Sequence, residues 1–319
     1  MQQFRRILVG VDLSSADRLA VADLGPPTRE AVRRAVWLAK HLSAELTFFT
    51  ALDVSAHAQE LLRDEFEEAT RSVEKAAREV LDELVSEAGR DGVPADAKLE
   101  FGRPWERILQ AVLRNGYDLV IVGTSHAGAA SRFLFGSTAS KLVRNCPCPV
   151  WVTRPDPDWD DLNILVASDL GEVSQQAVHV AVGGAQLAEA KVHLLHAVEA
   201  THEHRMWLTG VPDDELQAFR EKKRAEAEAA LHEQLAETDY RTLPFGVQVH
   251  VTEGPPDVAI LQAVDEYGID LLVMGTVARS GIPGLLIGNT AERLMAHVPC
   301  SVLAVKPADF ECPIAAESD

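Results

Sequence analysis

The chain has 319 residues, 47 % of them hydrophobic, and a formal net charge of −19 from 49 acidic and 30 basic side chains. That length suits two globular domains of ordinary size, and the apolar fraction is that of a soluble protein. So acidic a surface repels nucleic acid and anionic membranes, which excludes them as general partners, and the apolar run at the N-terminus is too short for a secretion signal or a membrane span, so a cytoplasmic protein is expected.

The first predicted strand runs from Arg6 and ends on Asp12. A surface loop within Ala16 to Thr28, containing Gly25-Pro26-Pro27, separates it from the first helix. That helix carries Ala31, Ala35 and Ala39 on one face, which lets it approach a sheet closely. A second strand spans Glu45 to Asp53. A charged helix, about Glu60 to Ala88, follows with acid–base pairs at helical spacing. Then come Gly102-x-Pro104, an apolar strand from Asp118 to Gly123, a loop, and Gly136-Ser137-Thr138 opening a helix. Cys146-Pro-Cys148-Pro-Val150 leads into a last apolar strand, and Arg154 to Asp161 reads as a linker.

The same order then repeats. A strand from Asn163 ends on Asp169, a helix carries Ala177, Ala181 and Ala185, and a strand spans Lys191 to Glu199. A charged helix, about Asp214 to Glu237, precedes Gly254-x-Pro256, a strand from Asp270 to Gly275, then Gly288-Asn289-Thr290 and Val298-Pro-Cys300-Ser-Val302. Matching residues lie at a constant offset of 152 (256 − 104, 275 − 123, 288 − 136, 300 − 148). A repeat this long is a duplicated domain. The domains are placed at 1–155 and 161–307, with a tail at 308–319. Strands alternating with helices predict an α/β fold with mainly parallel sheets. The first aspartates are 157 apart (169 − 12) but the alanine helices only 146 (177 − 31), so the first copy holds eleven extra residues beside Asp12 (157 − 146).

Ligands of open α/β sheets bind at the carboxyl ends of the strands. Asp12 and Asp169 sit there and can accept hydrogen bonds from ribose hydroxyls. Gly123 and Gly136 leave backbone amides accessible to an anion, and Ser137 and Thr138 can hydrogen-bond phosphate at a helix start. Gly275, Gly288, Asn289 and Thr290 repeat the arrangement. Both aspartates can instead cap a turn, and the hydroxyls can cap their own helices.

These residues resemble the universal stress protein family, in its tandem two-domain form. The resemblance covers nearly the whole chain, in two copies. Nucleotide-binding members have a Gly-x-x-Gly-(nine residues)-Gly-Ser/Thr loop after the fourth strand and an aspartate after the first. Gly123, Gly136 and Ser137 match that spacing, as do Gly275, Gly288 and, loosely, Asn289. The family's second glycine is replaced by His126 in one copy and Ala278 in the other. The resemblance implies two tandem open five-stranded sheets flanked by helices, Rossmann-like, paired through their last strands as an intramolecular pseudo-dimer, with further homodimerisation open. It implies an adenine nucleotide such as ATP as ligand, Mg accompanying it, with Ala51 and Ala197 at the second-strand ends joining the site. His126 is a candidate phosphate contact in this frame. The first copy, with Gly136-Ser137-Thr138, is the more intact cradle.

Neither a nucleophile–base arrangement nor a Walker-type lysine is present in the sequence. The reading is a non-catalytic, stress-related nucleotide-binding protein. The alternatives are an interaction module with vestigial sites, binding a protein or apolar ligand, and a weak nucleotide hydrolase. Cys148 and Cys300, at equivalent strand starts, read as buried structural thiols, and no metal site is expected. His193 and His196 lie three apart on a strand and must point to opposite faces. His202 and His204 read as a solvated loop.

Overall fold

The computed structural model describes residues 4–15, 18–19, 24–53, 63–124, 135–155, 161–199, 211–276 and 288–313. They fall into two compact units, residues 4–155 and 161–310.

The first unit contains β1 (Arg6–Gly10), α1 (Pro26–Leu42), β2 (Glu45–Leu52), α2 (Arg63–Arg90), β3 (Ala95–Phe101), α3 (Pro104–Asn115), β4 (Leu119–Gly123), α4 (Ser137–Asn145) and β5 (Val150–Thr153). Its strands pair in the order β3-β2-β1-β4-β5, and every pairing is parallel. The register sets Val9 against both Phe48 and Ile121. Parallel strands covered on both faces need unbroken apolar runs, and Ile7, Leu8, Val9, Val120 and Ile121 are fully buried.

The second unit repeats this with β6 (Asn163–Ala167), α5 (Glu172–Ala188), β7 (Lys191–Val198), α6 (Asp213–Ala236), β8 (Val247–Glu253), α7 (Pro256–Glu266), β9 (Leu271–Gly275), α8 (Asn289–His297) and β10 (Ser301–Val305). The order is β8-β7-β6-β9-β10, again all parallel.

The alanine faces do what their spacing predicts. Ala31, Ala35 and Ala39 on α1 and Ala177, Ala181 and Ala185 on α5 are all buried, and α1 lies against β1 and β4 as α5 lies against β6 and β9. The two helices also end alike: Ser43 and Glu189 adopt left-handed backbone (φ 54° and 51°), and the next amides, of Ala44 and Ala190, return to Ala39 O and Ala185 O. The repeated Gly-x-Pro is a strand-to-helix turn. Gly102 and Gly254 hold φ of 130° and 115°, a backbone region open essentially to glycine alone. The following prolines begin α3 and α7, where a missing N–H costs nothing.

Two expectations are corrected. Gly25-Pro26-Pro27, read as loop, is a helix start: Gly25 is the N-cap and both prolines lie in the first turn of α1. The inserted stretch after Asp12 also includes a short antiparallel ladder, Ser14–Ser15 against Arg18–Leu19. The predicted start of the charged helix at Glu60 lies outside the described residues, as do His202, His204 and Ala315 to Asp319.

Candidate functional site

In each unit the chain runs from the central strand outward to one edge, then returns past it to the other. The strand order therefore reverses between β1 and β4, and again between β6 and β9. The carboxyl edge at such a switch point is where a crevice must open, because the loops there diverge to opposite faces.

In the first unit that crevice is a cavity of about 290 Å³. Asp12, Ala51, Gly123, Gly136, Ser137 and Thr138 all line it. Residues separated by over a hundred positions are brought together because β1, β2 and β4 are neighbours and α4 starts beyond β4. The rim is held by backbone and hydroxyl bonds. Val11 N donates to Phe49 O at 2.8 Å, Thr50 Oγ1 donates to Val11 O at 2.8 Å, and Thr124 N donates to Thr153 O at 3.0 Å.

Gly136 is the N-cap of α4 and brings no side chain to cap it. The first-turn amides of α4, and the hydroxyls of Ser137 and Thr138 beside them, therefore converge on the cavity at the positive end of the helix. Gly123 has a different reason to be glycine. A Cβ there would stand 2.5 Å from Pro27 O, so it is the start of α1, and not a ligand, that forbids a side chain.

The walls include residues that the sequence reading did not assign to the site: Thr28, Phe49, Pro104, Ile108 and Thr124. Thr28 carried a signal, since its counterpart 146 positions on is Ser174, also a hydroxyl at a helix start. Phe49 and Ile108 look like ordinary core residues in sequence. His126 and Ala278 lie outside the described residues.

The second unit treats its equivalent residues differently. Asp169 Oδ1 accepts from Gly171 N at 3.0 Å, a local turn made within three residues, with Leu170 in left-handed backbone (φ 65°). Next to it, where the first unit has Val11, stands Ser168 (168 − 157 = 11). Ser168 Oγ bonds Gln234 Oε1 at 2.7 Å and Ser174 Oγ at 3.1 Å, and Gln234 Nε2 reaches Ser174 Oγ at 3.2 Å. All three side chains are buried. This network ties α6 across the edge of β6. Ala197 is buried near the end of β7, while Gly288, the N-cap of α8, donates to Thr276 O at 2.8 Å, with Asn289 and Thr290 following in the first turn.

A model of the universal stress protein family matches residues 3–154 and again residues 162–306. The chain belongs to the universal stress protein family. Among relatives, universal stress protein E of Escherichia coli K12 is 28 % identical over 306 residues, 93 % of this chain and 95 % of its own. Universal stress protein E of Photorhabdus laumondii is 26 % identical, aligned over 100 % of both chains. A solved structure from Pseudomonas aeruginosa PAO1, of a protein described as functionally unknown, has a TM-score of 0.68 at 24 % identity, covering 97 % of this chain and 94 % of its own. At that identity the likeness concerns the fold: tandem α/β domains with parallel open sheets.

The remaining candidates fall into place around this family frame. Cys146, Cys148 and Cys300 are buried. The Cys146 and Cys148 sulfurs are 3.5 Å apart. The hydrogen bond it shares with Cys146, then burial, pushes the Cys148 thiol well up, which keeps it protonated and inert. Among the described residues no group of three or more His, Cys, Asp or Glu is placed to hold a metal ion, and no helix is long and apolar enough to cross a membrane. His193 and His196 do point apart: His193 Nδ1 meets His250 Nε2 at 3.0 Å, while His196 Nδ1 meets Ser168 O on the other side.

Proposed function

We propose that this universal stress protein is a non-catalytic stress-response protein whose first unit binds ATP or a related adenine nucleotide. The observation that carries the reading is the convergence of Asp12, Ala51, Gly123, Gly136, Ser137 and Thr138 on one cavity at the switch point. The residues fit such a ligand end to end. The uncapped amides of α4, with Ser137 and Thr138, suit the phosphates. The Asp12 carboxylate suits the ribose hydroxyls. Ala51 is small enough, and Phe49 and Ile108 apolar enough, to receive a base. A magnesium ion would accompany the triphosphate. Asp12 is the only carboxylate in the described lining, so the phosphates themselves would supply most of its ligands. Asp169 and the residues around it serve turn and network contacts in the second unit, and we assign the nucleotide to the first.

The test is mass spectrometry of small molecules released on denaturing the purified full chain, together with melting in the presence of millimolar ATP. Binding at a hundred times Kd stabilises by about 2.7 kcal/mol, a readily measured rise in Tm. Absence of released nucleotide and of any shift with ATP, ADP or AMP would overturn the proposal. Ser137→Ala is expected to weaken binding about tenfold, the effect of one charge-assisted hydrogen bond.

A further inference from the structure

The two units treat one equivalent hydroxyl in opposite ways. Thr28 and Ser174 both lie in the first turn of the helix that follows the central strand, 146 positions apart (174 − 28). Ser174 is held by protein. Its hydroxyl donates to Gly171 O at 2.8 Å, and Ser168 Oγ and Gln234 Nε2 stand 3.1 and 3.2 Å from it. In the first unit those side chains are gone. Val11 stands where Ser168 does (168 − 157). Leu84 stands where Gln234 does (234 − 150), an offset set by the buried pairs Ala77 with Ala227 and Leu81 with Leu231. Gly25 O, the counterpart of Gly171 O, accepts from Arg29 N, and the Thr28 hydroxyl makes no hydrogen bond among the described residues.

Thr28 is nonetheless only 3 % exposed, and it lies on the wall of the switch-point cavity. Among the described residues, the side-chain polar atoms sealed from solvent without a partner belong to Trp105, Trp151 and Thr252. The Thr28 hydroxyl is not one of them, so the surface it keeps opens onto the cavity. A polar group set this deeply is ordinarily hydrogen-bonded, and its partner has to come from the cavity.

The chemistry of the walls says what kind of group that partner is. The β4–α4 side offers the uncapped amides of α4 with Ser137 and Thr138, and it is the side that suits an anion. The β1–α1 side offers Asp12 and the start of α1. A helix start attracts anions through its free N–H groups, and Pro26 and Pro27 remove two of those of α1. The Asp12 carboxylate further repels a phosphate from this side. An uncharged hydroxyl fits here, able to donate to Asp12 and to exchange a hydrogen bond with Thr28. Taking this cavity as the nucleotide site, we infer that Thr28 reads the ribose: with Asp12, its hydroxyl selects a ribonucleotide over the deoxy counterpart. A vicinal diol serves both residues at once, one hydroxyl to each. In the second unit Ser174 and Asp169 are both bonded within the protein.

The probes are ATP, 2′-deoxy-ATP, 3′-deoxy-ATP, ribose 5-phosphate and 2-deoxyribose 5-phosphate, titrated into the full chain by calorimetry. We expect ATP to bind about three- to tenfold tighter than at least one deoxy analogue, the effect of one neutral hydrogen bond. Thr28→Val, which keeps the branched shape, should lose that factor for ATP and bind ATP and the analogue alike, with the Tm of the free protein unchanged or raised. Ser137→Ala should weaken all three nucleotides by the same factor and so preserve the discrimination. Nucleotide binding without discrimination, or discrimination that persists in Thr28→Val, overturns the role of Thr28 and leaves the nucleotide reading standing. A lower Tm of free Thr28→Val would mean that the hydroxyl serves the fold, and overturns that role equally. Preference for ribose 5-phosphate over its deoxy analogue, lost in Thr28→Val and without affinity for ATP, keeps the sugar contact and overturns the nucleotide reading. Binding of none of the probes overturns both.

Discussion

Gly123 and Gly275 end equivalent strands, yet a methyl group would meet different obstacles at each. At Gly123 it would lie 2.5 Å from Pro27 O and 2.6 Å from Pro27 C, backbone atoms of the first turn of α1. At Gly275 it would lie 3.0 Å from Val173 Cγ1, a side-chain methyl that can turn aside. Gly123→Ala should therefore cost about 1–3 kcal/mol, as overpacking typically does, and Gly275→Ala well under about 1 kcal/mol. Urea unfolding of the two variants decides it, and equal losses would show that α1 yields as easily as a rotamer. The histidines of the second unit make a pH prediction. His193 and His250 stack with Tyr267, ring centroids 4.7 and 4.6 Å from it. Burial lowers the affinity of His193 for a proton, and the charges of His250 and Lys191 lower it further. Burial also lowers His250, against the opposing pull of Glu266. With folded values below the ordinary value of about 6.5, the unfolded chain takes up these protons first. Their contribution to stability is complete above about pH 6.5 and lost as pH falls through the lowered folded values. Tm should fall between about pH 7.5 and about pH 5.5, and His250→Gln should flatten that slope. A slope unchanged by the substitution would remove the pair from the account.

At the scale of elements, the second unit differs from the first in how α6 is fastened. Ser168, Ser174 and Gln234 bond one another in a buried cluster, and Gln175 Nε2 donates to Gln234 O at 2.9 Å. Removing Gln234 takes one partner from each serine, but Ser168 Oγ still accepts from Leu170 N at 3.0 Å and Ser174 Oγ still donates to Gly171 O at 2.8 Å. Gln234→Leu should destabilise by about 1 kcal/mol, and adding Ser168→Ala and Ser174→Ala should deepen the loss in chemical denaturation, because Leu170 N and Gly171 O then lose their partners too. If the triple variant is no less stable than the single, those backbone contacts contribute nothing and the network view fails. None of this was legible in sequence, because a serine beside a strand-end aspartate looks like any turn. The elements themselves were legible where a pattern repeated: the offset of 152 and the alanine faces each predicted what was found. The outer strands β3 and β8 were the least legible elements. They are mostly half-buried and mix polar with apolar residues, so neither an apolar run nor clean alternation marks them. Of the first-unit site, the glycines, hydroxyls and Asp12 could be read from sequence. Its walls could not, because Phe49 and Ile108 are chosen by packing first and face the cavity only through the strand order.

For the molecule as a whole, duplication raises the question of how many nucleotides one chain would hold on the proposed reading. Two equal sites would require both carboxyl edges to keep the aspartate, the open rim and the hydroxyl-bearing helix start. The first unit keeps them around one cavity. The second closes its aspartate onto Gly171 N, runs straight into α5 without the eleven-residue insertion, and starts α8 with Asn289 in place of the first hydroxyl, keeping only Thr290. Each of these is a separate change, so restoring one cannot restore the site. Calorimetric titration of the full chain with ATP and magnesium should accordingly give one nucleotide per chain. Ser137→Ala should weaken that single event, whereas Asn289→Ser should create no second one, because Asp169 would still be bound to its own turn. A stoichiometry of two in the native chain, or a second site appearing in Asn289→Ser, would mean that the Asp169 turn opens at little cost, and that the two halves remain equivalent where their ligand contacts are made.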